Sequence, residues 1–113
     1  MSRRASGLKA WLVQRLSAVY LAVFGVYLAL VFTVAPPSDH AALVAWAKVP
    51  WVMVGLLVFV PLLLAHAWVG IRDVLIDYVK PIGVRVALLA MMALIFLASG
   101  LWVLQALILI QVD

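Results

Sequence analysis

His66-Ala-Trp-Val-Gly-Ile-Arg-Asp-Val-Leu-Ile-Asp-Tyr-Val-Lys-Pro81 is the stretch whose reading decides the fold. It holds the only histidine inside a hydrophobic segment. It also holds two of the four acidic residues (Asp73, Asp77), two of the eight basic ones (Arg72, Lys80) and Tyr78. Taken as helix, His66 to Asp73 is seven residues and His66 to Asp77 is eleven. At about 100° per residue both steps return close to the starting direction, so the three fall near one stripe spread over about 16 Å. Pro81 lacks an N–H and biases Lys80 away from helical angles, so the helix is predicted to end there.

Composition sets the medium around this stretch. Of 113 residues, 70% are hydrophobic and 11% charged. A soluble domain of this size cannot hide that much apolar surface, so the chain is predicted to be an all-α integral membrane protein. There are no cysteines, which excludes disulfides, thiolate metal sites and cysteine-ligated iron–sulfur clusters within it. The net charge of +4 sits mostly at segment ends, which suits topology and contact with anionic membrane lipids rather than nucleic acid.

Outward from the central stretch, three spans emerge and the whole chain reads as one domain, residues 1–113. Residues 1–14 form a short basic head with Arg3, Arg4 and Lys9, and Trp11 as an interface anchor. The first span covers about residues 15–35; its apolar run is longer than a signal-peptide core. Pro36 and Pro37 stop it, and Ser38 or Asp39 is placed to cap a short interfacial helix over Ala41–Lys48. The second span covers about 49–71 and extends toward Tyr78, with a kink expected at Pro61. Gly70 lets a helix or a ring approach closely. The third span covers about 84–110 and carries no charge; its Met91, Met92, Ser99 and Gly100 read as packing residues.

Arginine and lysine mark the cytoplasmic side. They collect at the head (Arg3, Arg4, Lys9, Arg15) and at the second junction (Arg72, Lys80, Arg85), against Lys48 alone in the first loop and none after the third span. The N-terminus is therefore predicted cytoplasmic and the C-terminus periplasmic. This puts His66 in the inner leaflet, Arg15 at a similar depth, and Asp77 and Tyr78 at the cytoplasmic surface.

An ionisable group in a membrane helix is costly and faces protein, cofactor or water. On residue chemistry alone His66 has two readings: a metal or haem ligand, or a hydrogen-bond partner of a neighbouring helix. Arg15 likewise either snorkels to the headgroups or pairs with a carboxylate. Ser17 in turn can bond its own backbone. If a haem is held between two histidines, the second must come from another chain, because His40 is predicted on the opposite side. Three thin spans also leave little room to enclose a haem.

The His-Ala-Trp-x-Gly pattern at 66–70, followed by Asp-Tyr-Val-Lys-Pro at 77–81, resembles the small hydrophobic membrane anchor subunits of succinate dehydrogenase, respiratory complex II. The resemblance is close over Leu64–Arg85 and extends loosely over the chain through Arg15-Leu-Ser-Ala18. It implies a bacterial inner-membrane, multi-pass subunit that sandwiches a b-type haem with a second anchor subunit of the cytochrome b556 type. It puts the axial ligand to the haem iron on His66, a propionate contact on Arg15, and a ubiquinone site on Asp77 and Tyr78. It further implies docked iron–sulfur and flavoprotein subunits, with no succinate chemistry in this chain. Arg72 and Asp73 depart from the pattern, as does a head without histidine. Two other readings remain: a haem-free structural anchor, and a small transporter subunit, against which stand the uncharged third span and the lack of any internal repeat.

Overall fold

The computed structural model describes residues 3–112, and side chains from residue 7 onward. Met1 and Ser2 of the basic head, and the side chains of Arg3 and Arg4, lie outside the described residues. Four helices follow one another: α1 (Arg3–Val34), α2 (His40–Ala47), α3 (Pro50–Tyr78) and α4 (Ile82–Val112). No strand occurs among the described residues. Three stretches are long and apolar enough to cross a membrane: Gly7–Val34, Pro50–Tyr78 and Ile82–Val112, of 28, 29 and 31 residues. Each exceeds the roughly 20 residues that a hydrocarbon core needs, so the helix ends project past it or the helices tilt.

The basic head and the first span share one helix. From Arg3 the chain is already helical and continues unbroken into the first span. The reason is visible in the sequence: no proline interrupts residues 1–35 and the only glycines are Gly7 and Gly25. Pro36 and Pro37 then end α1, whose last amide bond is Ala35 N–H to Val31 O at 3.2 Å.

Asp39 caps α2. Its backbone is extended and its carboxylate accepts the Ala42 N–H at 2.8 Å, filling one of the orphan donors of the first turn. Pro50 opens α3 at a position where a missing N–H costs nothing. The helix stays intact past Pro61 to Tyr78, where Val79 takes extended angles and closes on Leu75 O at 3.0 Å.

α3 is the central helix. It packs on α1 along one side and on α4 along another, and α2 lies against its N-terminal end. The α1–α3 seam is aromatic. Phe24 is buried, its ring 5.8 Å from Tyr20, 5.6 Å from Tyr27 and 5.4 Å from Phe59. The ring fills the space left open by Gly55, where any Cβ would collide with it. Tyr20 spans the same seam, its hydroxyl donating to the Gly55 carbonyl at 2.6 Å. Tyr27 extends the cluster to the α2 end: Trp46 Nε1 donates to its hydroxyl at 3.0 Å, and Trp51 stands 5.0 Å away. On the α4 side, Leu64 seats on Gly100 and Trp68 meets Phe96 edge-on at 6.3 Å. These pairs run in opposite directions along the helices of each seam, so α3 is antiparallel to α1 and to α4.

Little of this surface is internal. No more than 11% of the apolar window of any span is buried within the chain. Three helices with one central element leave their outer faces to lipid or to other chains, and large residues such as Val23, Leu94 and Trp102 are exposed.

Candidate functional site

A groove runs along the α1–α3 seam toward the C-terminal half of α3. It measures about 470 Å³ and is lined by Gln14, His66, Ala67, Gly70, Ile71, Val74 and Leu75. Helical spacing explains the lining. Residues 67, 70, 71, 74 and 75 are successive positions of one face of α3, and His66 stands at its edge. Gln14 enters from α1 because the face of that helix turned toward α3 carries Gln14, Ser17, Leu21 and Phe24 at steps of three and four.

His66 is half-buried on α3. Its Nδ1 is enclosed and has no hydrogen-bond partner among the described residues. An enclosed ring nitrogen left without a partner is costly, and the groove beside it is otherwise apolar but for Gln14. At Gly70 an added Cβ would meet nothing within 4 Å. The close approach expected there is therefore made by none of the described residues, unlike the approaches at Gly55 and Gly100, which Phe24 and Leu64 fill. The residues thus fit a large flat apolar group with one histidine contact. No group of three or more His, Cys, Asp or Glu capable of holding a metal ion on its own occurs among the described residues.

The other predicted residues are dispersed. Arg15 follows Gln14 and so lies at a neighbouring depth, but it is exposed and does not line the groove. Its guanidinium sits over the Trp11 ring, 5.5 Å from the centroid, a cation–π placement at the outer face of α1. Ser17 is buried and bonds its own backbone, donating to Gln14 O at 3.0 Å. Asp77 and Tyr78 occupy the last turn of α3, both exposed, Tyr78 by 79%. Twelve residues of helix separate His66 from Tyr78, about 18 Å along the axis. They form a second location at the end of the helix rather than a wall of the groove.

Asp73 shares the stripe of His66 but is engaged by Arg72, Nη2 to Oδ1 at 3.3 Å, with both side chains about half exposed (47% and 60%). That pair is local and surface-placed, which accounts for two charges within a span without a substrate path. His40 lies at the start of α2, on the far side from His66, and is exposed.

Two residues of this region were not singled out from sequence as site residues. Gln14 supplies the polar side chain of the groove; its signal was the three-residue step to Ser17 on the buried stripe. Arg85 reaches back from α4 to the end of α3, donating from Nε to Val79 O and from Nη2 to Ile76 O, each at 3.1 Å. The nearby helix end with its unpaired carbonyls was the available signal.

The fold and the groove together define a multi-pass, all-helical membrane subunit, with a histidine of the second span facing a cleft that the described residues do not fill. The profile of the family described as succinate dehydrogenase/fumarate reductase transmembrane subunit matches residues 1–102, and the chain belongs to that family. Two similar proteins are each named succinate dehydrogenase hydrophobic membrane anchor subunit. The one from Rickettsia felis is 36% identical over 76 residues, 66% of this chain and 62% of that protein. The one from Coxiella burnetii is 27% identical over 104 residues, 92% of this chain and 89% of that protein. The match therefore spans less than two thirds of the Rickettsia relative. No solved structure matches this chain.

Proposed function

We propose that this chain is the anchor subunit of a bacterial inner-membrane succinate:ubiquinone oxidoreductase. In this reading it contributes one axial histidine, His66, to a b-type haem shared with a second anchor subunit, and it borders the ubiquinone-reduction site with Asp77 and Tyr78. The observation that carries the reading is His66 on the wall of a groove that stays open at Gly70, with no hydrogen bond to its enclosed Nδ1 among the described residues. A haem bound there would supply a one-electron carrier.

The residues of the chain divide the work. His66 offers an imidazole nitrogen to iron, and Ala67, Gly70, Ile71 and Val74 give the macrocycle an apolar wall. Gln14 is the groove's neutral hydrogen-bonding group. Arg15, exposed on the adjacent face of α1, is available to a propionate once it leaves Trp11, since a guanidinium pairs well with a carboxylate. Tyr78 has a hydroxyl free to donate to a quinone carbonyl, and Asp77 beside it can accept or return a proton. Their exposure suits a site completed by other subunits. The second anchor chain covers the groove and supplies the other histidine. Iron–sulfur and flavoprotein subunits dock on the cytoplasmic side, where arginine and lysine counts put the N-terminus and the end of α3.

The test is a reduced-minus-oxidised optical spectrum of the purified complex, wild type against His66→Leu. A b-type band lost or shifted in the variant supports the assignment. A band unchanged in the variant places the ligand elsewhere. No band in the wild type favours a haem-free anchor, and leaves Asp77 and Tyr78 as the residues to test.

A further inference from the structure

The turn between α3 and α4 contains a contact that the proposed site does not use. Arg85 lies in the first turn of α4 and is half-buried. Its own N–H bonds Pro81 O at 3.0 Å, closing the first turn of α4. Its side chain runs the other way. Nε donates to Val79 O and Nη2 to Ile76 O, both at 3.1 Å. The last four carbonyls of a helix have no partner within the helix. One guanidinium therefore fills an acceptor on the last turn of α3 and a second just beyond it.

Asp77 and Tyr78 are the two residues between those carbonyls. Their neighbourhood needs support for two reasons. The three residues Val79, Lys80 and Pro81 leave the helix, and proline cannot continue it. Asp77 also places a carboxylate at the negative end of the α3 dipole, which weakens the turn that carries it. A cation at the same end offsets this, and a planar guanidinium can bond both carbonyls in a fixed geometry where an ammonium acts as a point charge.

We infer that Arg85 is a positioning residue for the Asp77–Tyr78 site: it latches α4 to the last turn of α3 and thereby fixes where those two side chains stand. The inference rests on the reading of Asp77 and Tyr78 as the border of the quinone site. Both hydrogen bonds of the Arg85 side chain go to backbone carbonyls of this chain, and Arg85 is not a contact for the quinone.

The test uses the intact complex in native membranes. Succinate-driven reduction of a short-chain ubiquinone is measured against quinone concentration. Succinate oxidation by a dye that takes electrons ahead of the quinone counts the assembled complex. Arg85→Gln is expected to raise the quinone KM several-fold, up to the roughly hundredfold that an ångström-scale misplacement can cost, with dye activity retained. A purely structural role would instead lower dye and quinone activity together at unchanged KM, and that result overturns the inference. If Arg85→Gln fails to assemble, Arg85→Lys decides: a raised KM supports the inference, and an unchanged KM or a second failure to assemble overturns it. Tyr78→Phe and Asp77→Asn are run beside these. If both leave quinone kinetics unchanged, the reading of the site fails. If they impair them while the assembled Arg85 variants do not, only the positioning role fails.

Discussion

The hydroxyl of Tyr20 donates to the carbonyl of Gly55 at 2.6 Å, across the seam between the first and the central membrane helix. That carbonyl is also part of the helical ladder of α3, so the bond adds a second donor to an acceptor with two lone pairs. It ties α1 to α3 alongside the Phe24 ring packed on the same glycine. Tyr20→Phe keeps the ring and removes the bond. The expected loss is about 0.6–1 kcal/mol, the usual worth of an interhelical hydrogen bond in a membrane protein. Thermal unfolding of the complex in detergent, followed by helical ellipticity, measures it; an unchanged midpoint would show the bond to be silent.

Gly55 is fixed by Phe24. A methyl at this position meets the ring directly, so Gly55→Ala is expected to destabilise by about 1–3 kcal/mol through overpacking. The double variant Gly55→Ala with Phe24→Leu should recover part of that loss. Additive losses in the double-variant cycle would refute the steric coupling.

Gly70 carries the opposite expectation. Apart from its own turn of helix, none of the described residues lies within 4 Å of its Cβ position, so Gly70→Leu should leave helix content and membrane insertion of the chain unchanged. It should abolish or weaken the b-type band of the complex, because the side chain would occupy the groove beside His66. A normal band in a well-assembled Gly70→Leu complex would mean that no ring lies against this wall.

The cap on α2 is a local matter. Asp39→Ala removes the acceptor of the Ala42 N–H and should cost that helix about 1 kcal/mol. Amide hydrogen exchange over residues 42–46 should quicken while the three spans keep their protection. Faster exchange in the spans as well would show that α2 braces the bundle.

Much of the architecture was legible without coordinates because its causes are local. Length and apolarity specify a span, prolines at 36, 37 and 81 specify where helices stop, and Asp39 before a helical run specifies a cap. His66 stood out for the same reason: an ionisable group in hydrocarbon is costly wherever it is. Charge does not end a helix, and α1 runs from the basic head into the first span without a break.

What the tertiary structure decided is which faces meet. Gly55, Gly70 and Gly100 are alike in sequence, but the packing of α1 and α4 on α3 fills two of them and leaves the third open. The same packing turns Gln14 into the groove and Arg15 out onto Trp11, although they are neighbours. Arg85 became a latch only because the short turn returns α4 alongside the end of α3. Periodicity gives each helix its stripe. The rotation and register at which two stripes are apposed depend on contacts between residues far apart in the chain, and only the folded arrangement supplies those.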